Sequence, residues 1–156
     1  MNELETTIED LYDFALNNPE NKLKIVEITR IERNLAEIIW SKTGIDLTDF
    51  IIAIDNYGIK HTIERHSNAK KEEQLGQVAI SKNDFTLIEK IVREADEIRY
   101  DPRQKTSKSV VIETFIFEKE IDEIYYVVKD VRRVKKRGKK NTLVFQTMYK
   151  KKRRTP

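Results

Sequence analysis

The pattern of apolar residues changes about two-thirds of the way along the chain, and this change limits the folds open to it. Before that point apolar residues recur at helical spacing, as in residues 3–17, 29–42 and 83–92. The last third contains three runs rich in Val, Ile, Tyr, Phe and Thr, a composition typical of strands: SVVIETFIFEK, EIYYVVKDVRRV and NTLVFQTMYK. Helices followed by an antiparallel meander predict a segregated α+β fold.

Turn-forming and capping residues predict where the first elements begin and end. The first helix is expected to stop where Asn-Asn-Pro follows it. A short strand over residues 22–29 comes next, and Thr29 is the expected cap of a second helix that ends before Gly44. A buried strand is expected over 47–54, with an extension of the helix as the alternative, and Asn56 is the expected cap of a third helix.

Polar stretches farther along predict breaks in the regular structure. Residues 67–79 are expected to form a loop. Ser81 or Asn83 is then expected to cap a helix, and the chain is expected to break again at Asp101-Pro102 and the following KTSKS. The connection KKRGKKN suits a hairpin between the last two strand-like runs.

Composition narrows the class of protein. The chain has 156 residues, of which 38% are hydrophobic and 37% charged, and it contains no repeat or linker. We therefore expect one domain over 1–156. Its expected parts are an N-terminal helix over 1–20, a main body over 22–150 and a basic tail over 151–156. The absence of Cys excludes a disulfide scaffold, a thiolate zinc site and a cysteine nucleophile. No apolar run approaches the roughly 20 residues of a membrane span, and the N-terminus is acidic. We therefore expect a soluble, cytoplasmic protein without a membrane partner.

Charge is divided unevenly along the chain. Residues 129–156 contain 13 Lys or Arg and one acid, a net charge of +12, whereas residues 1–128 carry a net charge of −9. Clustered cations displace counterions from phosphate, so the basic end predicts a polyanionic partner. A solubilising tail is the plainer interpretation. Because the basic residues flank and interrupt the strand-like runs, a folded cationic surface is favoured.

The segment KHTIERH, residues 60–66, contains both histidines of the chain. His61 and Arg65 share one face of an ideal helix, while His66 is rotated by about 140° from His61. One metal bound by both rings is therefore disfavoured, and the spacing is not HExxH. An imidazole exchanges protons near neutral pH, and Arg65 can hold a phosphate oxygen, so the segment suits acid–base chemistry beside Lys60. Two surface or capping histidines remain the plainer interpretation.

The last strand-like run offers a second set of candidates. Alternation places Phe145, Thr147 and Tyr149 on one face. Two hydroxyls at the basic end of the protein can bind or protonate a phosphate, although ordinary strand-forming residues would give the same pattern. The preceding strand adds three candidate transition-state cations: Lys129, Arg132 and Arg133.

Other kinds of active site have little support in the sequence. There is no glycine-rich phosphate loop and no GxSxG motif. Asp49 and Asp55 are candidates for a magnesium site of a two-metal nuclease, but a separation of six residues across an expected strand is unspecific.

Taken in order, several segments resemble those of phage-associated nucleases of the barnase–EndoU–colicin–RelE-like superfamily. The matching pieces are a TG.D turn, an H-x4-H pair with Arg before the second His, a GQ…D segment and a closing T-x-Y-K strand. In this sequence they are Thr43-Gly44 with Asp46, His61 and His66 with Arg65, Gly76-Gln77 with Asp84, and Thr147, Tyr149 and Lys150. The resemblance spans roughly residues 22–150.

The resemblance implies N-terminal helices packed on a four-stranded antiparallel sheet. It also implies a ribonuclease that needs neither metal nor cofactor, produces a 2′,3′-cyclic phosphate and is often a toxin or carried by phages and mobile elements. RNA is then the substrate, and an acidic inhibitor or capsid component is a candidate protein partner. The implied catalytic residues are His61, His66, Thr147 and Tyr149. The expected substrate-binding residues are Lys60, Arg65, Lys129, Arg132, Arg133 and Lys150.

Two other functions stay open at this point. A non-catalytic nucleic-acid-binding or phage assembly protein on the same scaffold would bind nucleic acid with a strong salt dependence and would tolerate loss of either histidine. A magnesium-dependent DNase would be silenced by EDTA.

Overall fold

The computed structural model describes residues 2–18, 20–104, 111–134 and 141–152, apart from the side chains of residues 103, 104, 111, 130 and 132. The KTSKS stretch, the predicted KKRGKK hairpin and the end of the basic tail lie outside these ranges. The elements in chain order are α1 (Glu3–Leu16), β1 (Ile25–Arg30), α2 (Arg33–Thr43), β2 (Ile51–Asp55), α3 (Asn56–His66), α4 (Ala69–Gln74), α5 (Lys82–Phe85), α6 (Ile88–Arg93), β3 (Glu97–Gln104), β4 (Val111–Ile121), β5 (Ile124–Val134), β6 (Thr142–Val144) and β7 (Thr147–Lys152).

The α+β class is confirmed, and the sheet is larger than the resemblance implies. Strands β3, β4, β5 and β7 form a four-stranded antiparallel sheet in that order. The sheet then continues from β5 through β6 and β2 to β1, with β2 and β6 parallel, so that seven described strands belong to it. Both β6 and β7 pair with β5, because two residues, 145 and 146, interrupt what the sequence predicts as one final strand.

Several boundaries differ from the sequence-based expectation. Helix α2 begins after Glu32 rather than at Thr29, which lies within β1 opposite β2. Gly44 does follow α2, with φ of 74°, in the left-handed region that glycine adopts at low cost. Asp101 and Pro102, where a break was expected, lie within β3. Pro is tolerated there because β3 is the last strand at its end of the sheet.

The helices cover one face of the sheet. Met148, Val128, Phe117 and Ile98 are direct neighbours across β7, β5, β4 and β3, and all four belong to the buried core. Their helical partners in the same core include Leu11, Phe85, Ile88 and Ile91. Side chains alternate along a strand, so Thr147, Tyr149 and Glu118 lie on the opposite face. We call this second face the Tyr149 face.

Phe145 lies on the core side, so it does not share a face with Thr147 and Tyr149 as the alternation predicted. It is fully buried, and its ring meets the Phe85 ring edge-on at 6.2 Å between centroids. The interruption before β7 changes the alternation at this position, because residues 145 and 146 are not in strand conformation.

Candidate active site

Helix α3 is fixed in place by its first residues. Asp55, not Asn56, caps it: the Asp55 carboxylate accepts a hydrogen bond from the Gly58 N–H at 2.7 Å. Asn56 is buried, and its side-chain amide binds the backbone of Lys22 and Lys24 instead. The start of α3 is therefore tied to the segment that precedes β1.

Gly58 allows α3 to lie directly against the interruption between β6 and β7. A Cβ atom at this position would be 2.8 Å from the carbonyl oxygen of Phe145 and 3.1 Å from its ring. The helix can approach the sheet this closely because glycine has no side chain. From this contact α3 runs beside β7 towards its last residue, His66.

The structure brings His66 and Tyr149 together. Their rings are 5.8 Å apart between centroids and inclined by 36°. The main chain reinforces the contact, since the His66 carbonyl accepts a hydrogen bond from Ile80 and the neighbouring Val78 N–H donates to Lys150. The end of α3 and the middle of β7 thus form one junction, which contains an imidazole and a phenol.

His66 has a second partner, Glu72 of α4. Its Nδ1 atom lies 3.2 Å and 3.4 Å from the two carboxylate oxygens of Glu72. The Glu72 side chain is 0% exposed, whereas the His66 ring remains 18% exposed. One edge of the imidazole is therefore held inside the protein while part of the ring still reaches solvent.

Glu72 was not found by sequence analysis, because residues 67–79 were expected to form a loop. Residues 69–74 instead form α4, and the side chain of Asn68 caps it by accepting the Lys71 N–H. The signals for this helix were present: an Asn cap followed by Ala, Lys, Glu and Gln, which are all good helix formers. Nothing local indicated that Glu72 faces His66.

The surroundings of Tyr149 favour the protonated form of its phenol, which can donate a hydrogen bond. Burial raises the pKa of its phenol, and the negative charge of Glu118 raises it further, while Arg99 acts in the opposite direction. In the described part of the chain no hydrogen bond engages the Tyr149 hydroxyl. Thr147, two residues earlier on the Tyr149 face, is buried, and its Oγ1 has no partner among the described atoms.

The other candidates on α3 are Lys60, His61 and Arg65. His61 is half-buried, and Lys60 and Arg65 are exposed. Within the described ranges none of the side-chain hydrogen bonds or ion pairs involves any of these three residues. Lys129 is half-buried and lies directly opposite Thr147 across β5 and β7, so the two side chains extend from the same face of the sheet.

Two of the predicted substrate-binding cations are occupied by ion pairs on the core side of the sheet. Arg133 Nη1 binds both oxygens of Glu113 at 2.9 Å and 2.8 Å, and its guanidinium lies over the Phe50 ring. Lys150 Nζ lies 2.8 Å from the buried carboxylate of Asp84. Both cations therefore hold the fold together. Arg132 faces Val144 in the register of β5 and β6, and its side chain is not among those described.

Asp84, the acidic residue of the GQ…D segment, has a structural role. One of its oxygens accepts from Ser81, completing the capping box of α5, and also pairs with Lys150. The other lies 3.4 Å from the Tyr126 hydroxyl. Burial raises the pKa of the Tyr126 phenol, and the Asp84 carboxylate raises it further. This buried network fixes β7 against α5 and so sets the position of the neighbouring Tyr149.

The weaker magnesium candidates do not come together. Asp49 pairs with Arg30, and Asp55 caps α3. No group of three or more His, Asp or Glu side chains is placed to hold a metal ion among the residues that the structure describes. Two surface grooves, of about 560 and 580 Å³, are lined by none of the predicted catalytic or substrate-binding residues, although Asp46 and Asp49 line the first. No described helix has the length and apolar character needed to cross a bilayer.

The comparisons with known proteins agree with the architecture. The family described as phage-Barnase-EndoU-ColicinE5/D-RelE like nuclease3 matches residues 29–155, which include both histidines and the whole of β7. No curated protein and no solved structure matches the chain.

Proposed function

This chain belongs to the family of phage-Barnase-EndoU-ColicinE5/D-RelE like nucleases, and from that premise we propose that it is an endoribonuclease that works without a metal ion. In the proposed reaction a base removes the proton of a ribose 2′-hydroxyl. The 2′-oxygen attacks the adjacent phosphorus, and the bond from phosphorus to the 5′-oxygen breaks. An acid protonates the departing 5′-oxygen, and the other product is a 2′,3′-cyclic phosphate.

The contact between His66 and Tyr149 is the observation that supports this proposal. Transfer of a proton to and from sugar oxygens requires two titratable groups within reach of one phosphodiester. An imidazole titrates near neutral pH, and the Tyr149 phenol stays protonated because burial and Glu118 raise its pKa. Both groups lie at one junction, within 5.8 Å between ring centroids. His61 is a second imidazole on the same helix.

Charge on the phosphoryl oxygens increases during attack, so the reaction also needs cations. We propose Lys60, Arg65 and Lys129 for this role, because no ion pair in the described part of the chain occupies them. Arg133 and Lys150 have carboxylate partners of their own and are left out of the proposed site.

The proposed biological role is that of a toxin-like nuclease carried by a phage or another mobile element. Such an enzyme would be held inactive in its host by an inhibitor that covers the cationic site, and an acidic protein has the complementary charge. The net charge of +12 over residues 129–156 supports a polyanionic substrate and an acidic inhibitor alike.

Cleavage of a short RNA by the purified protein in excess EDTA, between pH 5 and pH 8, tests the proposal. We expect cleavage that ends in a 2′,3′-cyclic phosphate and no cleavage when the same oligonucleotide has 2′-O-methyl groups. His66→Ala is expected to lower the rate by about 10²-fold or more, the usual contribution of a general acid or base.

Arg93→Ala is the matched control, because Arg93 lies on α6 and pairs with Glu32 and Glu89 away from the junction. It should cleave at the wild-type rate. Salt-dependent RNA binding without cleavage, unchanged by His66→Ala, would instead identify the non-catalytic binding protein. Cleavage that EDTA abolishes would identify a metal-dependent nuclease.

A further inference from the structure

Glu72 is a fully buried carboxylate to which the proposed reaction assigns no role. Burial of an ionised carboxylate costs several kcal/mol unless the charge is paired, and acidic side chains are seldom completely buried without a partner. In the described part of the chain the only side-chain partner of Glu72 is the imidazole of His66. The pairing is therefore specific rather than one contact among many.

The main chain holds both members of the pair. The Glu72 N–H donates to the carbonyl of Asn68 at 3.0 Å, and the Glu72 carbonyl accepts from Gln77 at 2.7 Å. On the other side, the His66 carbonyl accepts from Ile80 at 2.7 Å. Because the backbone is fixed at both residues, the carboxylate and the ring have little freedom to move apart.

The charge state of the pair governs which nitrogen of His66 carries the proton. An ionised carboxylate can only accept hydrogen bonds, so with Glu72 ionised the nitrogen that faces it, Nδ1, is the donor. Nδ1 then bears hydrogen in the neutral ring, and Nε2 presents a lone pair. A lone pair on the nitrogen that faces away from Glu72 is what a general base requires.

We infer that Glu72 is a positioning residue that makes His66 the general base of the cleavage reaction; this inference rests on the proposed function. Nε2 of His66 takes the proton of the 2′-hydroxyl as the 2′-oxygen bonds to phosphorus. The ring becomes an imidazolium whose Nδ1–H points at the Glu72 carboxylate, which stabilises the new charge. Tyr149 is then left to donate a proton to the departing 5′-oxygen or a hydrogen bond to the phosphate.

Nitrogen NMR of the two histidine rings tests this inference without any substrate. At alkaline pH, where both rings are neutral, we expect His66 of the wild-type protein to be predominantly the Nδ1–H tautomer. Glu72→Gln keeps the shape and removes the charge, and its amide can also donate to the ring, so the preference should be lost. His61 provides an internal reference in the same spectrum, and Glu73→Gln is the matched control, because Glu73 is the exposed neighbour on α4.

A kinetic experiment compares the effect of each variant on kcat with its effect on KM. Glu72→Gln should lower kcat by about 10²-fold while KM for the RNA stays within about twofold, and Glu72→Asp should recover part of the lost rate because a carboxylate is restored. A residue that only held α4 in place would change the unfolding midpoint and leave the tautomer as it was. An unchanged tautomer in Glu72→Gln overturns the inference.

Failure of the inference and failure of the proposed function give different results. A wild-type protein that shows the Nδ1–H tautomer but cleaves no RNA supports the pairing and refutes the ribonuclease. A wild-type protein that cleaves RNA while His66 carries its proton on Nε2 supports the ribonuclease and refutes the role of Glu72. The wild-type spectrum decides between these cases even if Glu72→Gln does not fold.

Discussion

At the scale of single residues, the surroundings of Tyr149 keep its phenol neutral. Burial removes water that would solvate a phenolate, and Glu118 on β4, on the far side of β5, repels the negative charge, so both raise the pKa. The Glu118 carboxylate accepts a hydrogen bond from Arg99 Nη2 at 2.7 Å. Burial raises the pKa of the Glu118 carboxyl. A proton donor is thus maintained at the proposed site across the neutral range.

Tyr149→Phe removes that donor while keeping the ring against His66. We expect the cleavage rate to fall by about 10²-fold, measured on the same RNA at pH 7. Tyr125→Phe is the matched control, since Tyr125 is a half-buried tyrosine two residues from Val127, the partner of Tyr149 on β5. Equal rates for Tyr149→Phe and the wild type would remove Tyr149 from the mechanism.

The raised pKa of Tyr149 also predicts a pH dependence of stability. The phenol ionises near pH 10 in an unfolded chain and at higher pH in the folded protein, so the folded state holds the proton more tightly. The free energy of unfolding should therefore fall as pH rises through about 10. Urea unfolding from pH 8 to pH 11 should show a smaller fall for Tyr149→Phe than for the wild type; equal slopes would contradict the assignment.

At the scale of elements, the junction depends on how closely α3 approaches the interruption between β6 and β7. The start of α3 is held in place by hydrogen bonds. Asp55 caps the helix, and the Asn56 side chain is hydrogen-bonded to the backbone before β1. At its end the Lys150–Asp84 pair fixes β7 in register. The distance between the histidine helix and the last strand is therefore set at Gly58.

Gly58→Ala tests this dependence. The new Cβ would be 2.8 Å from a backbone oxygen, so α3 or the β6–β7 interruption must shift. We expect a loss of about 1–3 kcal/mol in the free energy of unfolding and a lower cleavage rate, because His66 moves relative to Tyr149. Gly44→Ala is the control: its φ is 74° but no atom lies within 4 Å of the new Cβ, so stability should fall without loss of activity in the folded protein. A fully stable, fully active Gly58→Ala would refute the close contact.

At the scale of the whole molecule, α1 belongs to the core even though the family match begins at residue 29. Ile8, Leu11 and Ala15 are buried in the cluster that also contains Phe85 and Met148. Asp13 of α1 accepts from Lys82, which links the helix to α5. The first helix therefore supports the elements that carry the proposed site.

Leu11→Ala should lower the free energy of unfolding by about 2–5 kcal/mol, because it opens a cavity in the core. Leu16→Ala on the same helix is the matched control, since Leu16 is 52% exposed and should change stability by no more than about 0.5 kcal/mol. Urea unfolding curves of the two variants give the comparison. Equal midpoints would mean that α1 does not contribute to the core.

Local patterns of sequence determined the class of fold and most of the elements. Apolar spacing and turn residues placed α1, α2 and α3 and the runs that became β4 and β5, because helix and strand periodicity are properties of neighbouring residues. The same local signals missed α4, which lies in a polar stretch, and β3, which contains a proline. They also merged β6 with β7, because a two-residue interruption leaves the composition of the run unchanged.

The order of residues along the chain supplied the candidate groups: two histidines five residues apart, a closing strand with two hydroxyls, and a concentration of basic charge. Which groups meet was decided by tertiary structure alone. Glu72 contacts His66. Arg133 pairs with Glu113, Lys150 pairs with Asp84, and Phe145 is buried in the core. The physical reason is that pairing depends on the distance between side chains from separate elements, and that distance follows from sheet register and the packing of α3, not from any neighbouring residue.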